Sequence, residues 1–269
     1  MPSIVDAMVV NQEEVAPNHF RLYLNAPEIA AEAKPGQFLH VSCGSTLDPL
    51  LRRPISIHMI QRNKGTVILF YRVAGYGTAL LARQKAGSVV NLVGPLGKGF
   101  TMPDAKQHII LVAGGIGIAP LLYLSRELTG SYRNAQVFFG AATAQQLFFL
   151  EEIRHSRHQL HIATDDGSAG SRGTVTATLA NYLATLPPGL LAKAKVFACG
   201  PKGMLRHLSE VIKDAGITGE MSLEERMGCG VGACLSCVCK TKDGAEDWRY
   251  SRICVDGPVF SAAEVVWND

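Results

Sequence analysis

His108-Ile-Ile-Leu-Val-Ala-Gly-Gly-Ile-Gly-Ile-Ala-Pro120 is the stretch on which the fold turns. Its first residues, up to Ala113, are almost wholly apolar and too few for a buried helix, which predicts a strand covered on both faces. Three glycines and a proline follow, and an apolar helix is predicted from Leu121 to Leu128. In Gly115-x-Gly117-x-x-Pro120 the glycines let backbone N–H groups approach a pyrophosphate at the helix N-terminus. Pro120 replaces the third glycine, and proline is tolerated in a first helical turn. A tight strand-to-helix turn without a ligand fits the same letters. The acidic residue that would hold a ribose about twenty positions on is absent, because Phe139-Gly-Ala-Ala-Thr143 carries no carboxylate.

Downstream, Ala135-Gln-Val-Phe-Phe-Gly140, Leu160-His-Ile-Ala-Thr164 and Lys195-Val-Phe-Ala-Cys-Gly200 read as further parallel strands, with helices at about 144–154, 175–186 and 203–215. Strand and helix alternate, so a doubly wound parallel sheet is expected. Cys199-Gly-Pro ends one of these strands, where open α/β sheets bind ligands. A thiol beside a nicotinamide ring and a small buried residue both fit there. Asp165-Asp166-Gly-Ser is either a nucleotide contact or a turn.

Upstream the pattern changes. Phe20-Arg-Leu-Tyr-Leu-Asn25 alternates apolar and polar, Pro35-Gly36 marks a turn, and Val67 to Val73 and Ser88 to Gly94 continue the short strands between glycines. A small antiparallel barrel is the expected outcome. In Arg52-Arg53-Pro54-Ile55-Ser56 a guanidinium fork suits a phosphate and a hydroxyl suits a ring nitrogen; a solvated basic turn is the plainer reading. Phe70-Tyr71-Arg72 and Gly77-Thr78 fit a cofactor wall, or equally a strand core and a helix cap.

Near the carboxyl end, Met227-Gly-Cys-Gly-Val-Gly-Ala-Cys-Leu-Ser-Cys-Val-Cys-Lys240 holds Cys229, Cys234 and Cys237 at C-x4-C-x2-C spacing, with Cys254 alone later. That is the plant-type arrangement for a [2Fe–2S] cluster. Structural zinc usually shows a pair of short cysteine knuckles, and only one is present. Five of the seven cysteines lie between Cys229 and Cys254. Cys237 and Cys239 alternate about Val238 and face opposite ways on a strand, which assigns Cys237 as ligand and Cys239 as packing. The segment from about Glu220 is too short for a large core of its own and is expected to be stapled by its metal.

A length of 269 residues suggests about two domains, and 47% hydrophobic content is ample for buried cores. The net charge of +3 comes without a Lys/Arg block, so nucleic acid is not an expected partner. The most apolar run, Ile109 to Leu124, is interrupted by glycines and falls short of the roughly twenty residues of a membrane span, so no membrane anchor is expected. The opening residues lack a basic segment followed by an apolar core, and iron ligands must be reduced thiolates; the cytoplasm is the expected location.

Taken together and in order, several pieces resemble the ferredoxin-reductase-like flavoproteins: Arg53-Pro-Ile-Ser56, Phe70-Tyr-Arg-Val73 with Gly77-Thr78, Gly94-Pro-Leu-Gly-Lys-Gly-Phe100 and Ala113 to Pro120. Thr164-Asp-Asp-Gly-Ser168, Cys199-Gly-Pro201, Ser222-Leu-Glu-Glu-Arg-Met-Gly-Cys229 and Asp256-Gly-Pro-Val-Phe260 complete the set. More closely, the chain is similar to the electron-transfer subunits of the two-subunit, NAD-dependent (type B) dihydroorotate dehydrogenases. The similarity spans essentially the whole chain, and the Leu-Glu-Glu-Arg-Met-Gly approach to the cysteine loop is its most specific part.

The resemblance implies three domains: an FAD-binding barrel (1–100), an NAD-binding α/β domain (101–219) and a [2Fe–2S] domain (220–269). FAD would be held by Arg53, Pro54, Ile55, Ser56, Phe70, Tyr71, Arg72, Gly77 and Thr78. The cluster would be held by Cys229, Cys234, Cys237 and Cys254. NAD, as co-substrate, is assigned to Gly115, Gly117, Pro120 and Cys199. Ile55 stands where many relatives place an aromatic on the flavin. The implied partner is a separate FMN-containing subunit that oxidises dihydroorotate in pyrimidine biosynthesis, two of each forming a heterotetramer, with electrons passing through cluster and FAD to NAD+. No general acid, base or nucleophile is asked of this chain, and Glu224 and Glu225 read as solvated or structural carboxylates. Rival readings are an electron-transfer subunit of a flavin-based transhydrogenase or sulfhydrogenase, or a zinc-stapled regulatory nucleotide-binding module. No arginine closely follows Gly140, which leans towards NAD, whereas Ser171-Arg172 would suit a 2′-phosphate.

Overall fold

Strands that alternate inward and outward build the first third of the chain. The computed structural model describes residues 2–44, 48–130, 134–156, 158–244 and 247–267. Strands β1 (Ser3–Ala16), β2 (His19–Asn25), β3 (Phe38–Val41), β4 (Arg53–Gln61), β5 (Thr66–Arg72) and β6 (Val89–Leu96) close an antiparallel barrel in the order β1-β2-β5-β4-β3-β6. Every second residue fills it: Leu22 and Leu24, Leu39 and Val41, Ile55 and Ile57, Val67 and Leu69. Two short helices, α1 (Pro27–Glu32) and α2 (Tyr76–Leu81), cross its ends.

On β5 the outward residues Ile68 and Phe70 are buried as well. The cause is α3 (Ile118–Gly130), which lies along the outside of β4 and packs Leu121 and Leu122 with Phe70. Tyr123 of α3 donates its hydroxyl to the Ala33 carbonyl at 2.7 Å and accepts from Arg62 at 3.1 Å. One helix thus serves barrel and sheet together.

The sheet contains β7 (His108–Gly114), β8 (Ala135–Ala141), β9 (Gln159–Thr164), β10 (Ser171–Arg172), β11 (Ala194–Cys199) and β12 (Thr218–Ser222), all parallel to their neighbours. Its order is β10-β9-β8-β7-β11-β12, so the chain builds outward from β7 on one side and then crosses to the other. Helices α4 (Leu150–Arg154), α5 (Val175–Thr185), α6 (Pro188–Leu191) and α7 (Lys202–Asp214) supply the connections. On α7 the buried residues Leu205, Leu208 and Ile212 recur at helical spacing. The helix expected over 144–154 is broken. A single turn at Ala144–Gln146 and the short α4 are separated by Phe149 in the left-handed region at φ 59°. Leu147 and Phe148 turn into the core there, with the Phe148 ring edge-on to Phe70 at 5.1 Å, and a continuous helix would carry them away.

After β12 the chain runs irregularly to a hairpin, β13 (Val238–Asp243) and β14 (Asp247–Arg252), and returns as β15 (Val259–Ser261), antiparallel to β12 at the sheet's edge. This segment shares its core with the sheet: Met227, Ile253, Cys254 and Phe260 pack with Val196, Leu205 and Met221. Phe38, on the outer face of β3, joins the same cluster. No helix among the described residues is long and apolar enough to cross a membrane.

Candidate functional site

The direction of winding reverses between β7 and β11, and open α/β sheets bind ligands in the crevice at such a point. Gly115 to Gly117 form one turn of 3-10 helix after β7 and lead into α3, with Pro120 in its first turn. Gly117 has no room for a side chain: a Cβ there would lie 2.3 Å from the Cys199 carbonyl oxygen and 2.7 Å from the Gly200 amide. The glycine lets the loop after β7 press onto the end of β11. Cys199 is fully buried, and burial first, then the charge of Glu224, pushes its thiol above the ordinary range. Asp166 forms a turn, accepting from the Ser168 amide at 2.9 Å and its hydroxyl at 2.6 Å, at the carboxyl end of β9. Those two bonds hold its carboxyl below the usual range.

Between barrel, sheet and carboxyl-terminal segment lies a cleft of about 750 Å³, within the range of ligand and cofactor sites. Arg53, Pro54, Ile55, Ser56, Phe70, Tyr71, Arg72 and Thr78 line it, together with Pro120 from the sheet. Gly77 lies behind them, and a Cβ on it would meet the Arg53 guanidinium at 3.0 Å. Thr78 accepts the amides of Ala74 and Gly75 at 2.9 and 3.2 Å, which caps α2 and leaves the residue on the cleft wall. Arg52 and Arg53 part company. Both line the cleft, but Arg52 donates to the Asn91 carbonyl at 3.0 Å and to the Asn91 side chain, whereas Arg53 donates to the Leu51 carbonyl at 2.5 Å. Tyr71 points into the barrel and donates to Gln12 at 3.1 Å, burial pushing its pKa up.

Glu224 and Glu225 line the same cleft. Glu224 is exposed to the cleft, and desolvation by the surrounding protein raises its pKa while Arg72 opposes the rise. The approach Leu223 to Met227 continues the wall and then becomes the cysteine loop.

That loop is turned by Gly230 (φ 73°), Gly232 (φ 85°) and Leu235 (φ 58°). Its backbone points at sulfur. The amides of Val231 and Cys234 donate to Cys229 Sγ, and the Cys229 amide donates to Cys234 Sγ, each at 3.4 Å. Ser236 accepts from the Gly228 amide at 2.9 Å and lies 3.2 Å from Cys234 Sγ. Ser236 first, then Cys229, lowers the Cys234 thiol to about 6. Cys254 is buried against Cys237 and is pushed up to about 12, chiefly by desolvation. Arg252 clamps this end, donating to Asp256 from its amide at 2.8 Å and from Nε at 3.1 Å, and to the Gly232 carbonyl at 3.4 Å.

The four thiols therefore fall into two pairs, Cys229 with Cys234 and Cys237 with Cys254. Among the described residues no three His, Cys, Asp or Glu side chains converge as one metal ion requires. A lone zinc needs every ligand sulfur about 2.3 Å from one point. Paired thiols with amides aimed at the sulfurs suit a two-iron cluster, in which each iron takes two thiolates and the inorganic sulfides are shared. Cys239 lies half-buried on β13 against the core.

Sequence reasoning did not single out His40, Ser236 or Arg252. His40 on β3 is 1% exposed, and its ring nitrogens reach no partner at good hydrogen-bond geometry, although the backbone of Cys229 and of Arg52 lies near enough to oppose the fall in its pKa. Burial first, then Arg52, lowers its pKa to about 4, so the ring is neutral. An unsatisfied buried polar group costs about 1–3 kcal/mol. The one signal in the letters was a histidine within an otherwise apolar strand, Phe38-Leu-His-Val41.

Residues 224–266 match the family described as the iron–sulfur cluster binding domain of dihydroorotate dehydrogenase B, and residues 111–210 match the oxidoreductase NAD-binding domain. The dihydroorotate dehydrogenase B (NAD(+)) electron transfer subunit of Desulforamulus reducens is 44% identical over 268 residues, covering 100% of both chains. That of Geobacillus kaustophilus is 41% identical over 260 residues, 96% of each. Among solved structures, that of an NADH-dependent reduced ferredoxin-NADP oxidoreductase, studied for flavin-based electron bifurcation, gives a TM-score of 0.83 at 26% identity over 98% of this chain and 90% of that one. A ferredoxin NADP+ reductase from Neisseria gonorrhoeae, with bound FAD and NADP, shares the fold at a TM-score of 0.66 and 20% identity, over 79% of this chain and 92% of that one. The chain belongs to the electron-transfer subunits of NAD-dependent dihydroorotate dehydrogenase B.

Proposed function

We propose that this chain carries electrons from an FMN-containing catalytic subunit, which oxidises dihydroorotate, through a [2Fe–2S] cluster and FAD to NAD+. The dihydroorotate chemistry itself belongs to the partner, two copies of each subunit assemble, and the complex works in the cytoplasm. The working division is a barrel of residues 1–100 for FAD, a sheet domain of 101–219 for NAD and a segment of 220–269 for the cluster.

Nicotinamide exchanges a hydride, a cluster single electrons and a flavin either, so the three bound together convert between two-electron and one-electron traffic. The protein's part is to hold and orient. Arg53 offers a bidentate fork to phosphate, Ser56 a hydroxyl to the ring, and Pro54, Ile55, Phe70, Tyr71, Arg72, Gly77 and Thr78 shape the wall. Gly115 and Gly117 present backbone N–H groups to the pyrophosphate of NAD, Pro120 shapes the first helical turn without a donor of its own, and the end of β11 at Cys199 borders the space for the nicotinamide. Cys229, Cys234, Cys237 and Cys254 ligate the irons, and the amides aimed at their sulfurs stabilise negative charge there.

The carrying observation is the continuity of cleft and loop. Met227 lines the cleft with Arg53, Ser56 and Tyr71, and Cys229 follows only two residues later. An extended chain covers at most about 7 Å in that interval. The full-length identity of 44% to dihydroorotate dehydrogenase B subunits, against 26% to the ferredoxin-NADP oxidoreductase, favours this partner over a transhydrogenase.

Copurification with the catalytic subunit, followed by an inventory of iron, sulfide, FAD and FMN, tests the reading. Equimolar iron and sulfide, FAD on this chain, FMN on the partner and NADH formed from dihydroorotate are expected. A complex that forms no NADH from dihydroorotate removes the proposed substrate, and a colourless chain removes flavin and cluster together.

A further inference from the structure

We infer that His40 is a positioning residue for the cluster. From the outer face of β3 it holds the Cys229–Gly230 turn against the barrel and supplies a ring N–H that favours the cluster's reduced, more negative state. The inference rests on the cluster reading above.

The strand's alternation sets the geometry. Leu39 and Val41 point into the barrel, so Phe38 and His40 face the carboxyl-terminal segment, where Phe38 packs in one cluster with Met227, Cys237 and Cys254. Gly230 lies directly on the imidazole: a Cβ there would come within 2.7 Å of Nδ1 and 3.1 Å of Cγ. Its φ of 73° and this contact both demand glycine. The ring also faces the backbone of Cys229 and of Arg52, the residue before Arg53. A single imidazole therefore spans the turn that carries a cluster ligand and the turn that carries the phosphate fork.

Volume alone does not account for a histidine at this place. Leucine would fill a similar space without burying two nitrogens that lack a well-aligned hydrogen bond. A ring N–H beside the backbone turn that carries Cys229 has a task that a hydrocarbon lacks, because polar groups around the ligand loop are among the protein's means of setting a cluster's potential.

The test uses the full chain purified anaerobically with its cofactors, as wild type, His40→Leu and His40→Gln. Iron and FAD are assayed, and the cluster is titrated potentiometrically by electron paramagnetic resonance. Both variants should keep FAD. The leucine variant should be about tenfold harder to reduce at a given poise, about 59 mV for a one-electron couple, with an altered line shape. Glutamine, which keeps an N–H, should recover most of the shift. Loss of iron from the leucine variant alone supports the same role. If the two variants behave alike, both at the native potential or both without iron, or if glutamine is the worse, the proposal falls while the cluster reading stands. A wild-type chain without iron removes the cluster reading itself, and the proposal with it.

Discussion

His58 shows how a buried side chain sets a pH limit. It is 1% exposed, its ring lies 4.8 Å from that of Phe149, and Nδ1 is 3.3 Å from the Ala119 carbonyl. Burial first, then the charge of Arg21, lowers its pKa to about 3 in the fold. In the unfolded chain it titrates near 6.5. Its folded pKa being the lower, the unfolded state gains a proton that the folded state refuses as pH falls from about 6.5 towards 3. Stability then drops by up to about 1.4 kcal/mol per pH unit from this group. His58→Phe should flatten the dependence by that amount, and urea titrations at pH 7, 6 and 5 will show it; parallel losses in both proteins would refute the assignment. Arg53→Ala should weaken FAD binding about 10- to 100-fold, the scale of a charge-assisted hydrogen bond, as read by retention of FAD on ultrafiltration. Arg52→Ala should weaken FAD binding less than Arg53→Ala and lower the melting temperature, because its guanidinium is tied to Asn91 at the cleft edge. In the sequence these neighbours are the same letter twice. They differ because β6 offers Arg52 the Asn91 carbonyl, and strand pairing across that distance leaves no local signal.

Elements whose residues are buried in a regular period were the legible ones. The apolar runs of β7, β8, β9 and β11 and the helices α5 and α7 stand within a residue or so of where periodicity puts them. The 144–154 region did not follow, because Leu147 and Phe148 answer to the aromatic cluster around Phe70 rather than to a helix face. The cysteine loop was readable from spacing alone, since four sulfurs round two irons constrain the intervals between them. What presses on that loop was not, for Arg252 and His40 act through the fold. The turn after β7 offers a test at this scale. Gly117→Ala must push α3 away from the end of β11, where a Cβ would sit 2.3 Å from a carbonyl oxygen. Overpacking of this kind typically costs about 1–3 kcal/mol. The KM for NAD should rise about tenfold or more, with FAD and iron retained; an unchanged KM would mean that the ligand does not use this turn.

At the scale of the whole molecule, the carboxyl-terminal segment depends on what it binds. Among the described residues no regular structure lies between β12 and β13, and metal binding in such a segment contributes directly to its folding. Removing iron with a chelator under reducing conditions should expose residues between about 224 and 256 to protease while the barrel and the sheet stay resistant. Cleavage mapped by mass spectrometry checks this, and uniform resistance would show the segment to be held by protein contacts alone. How the barrel, the sheet and this segment meet was the least legible part of the chain, because the core cluster that includes both Phe38 and Cys254 gathers residues far apart in sequence. The return of β15 to β12 carries a last consequence. A chain ended at Asp256 would keep every cysteine of the cluster loop but strip the outer rim of β12 of its pairing partner, laying bare a row of amides and carbonyls on which another molecule can add a strand. Such a shortened protein should load iron and then self-associate into insoluble material.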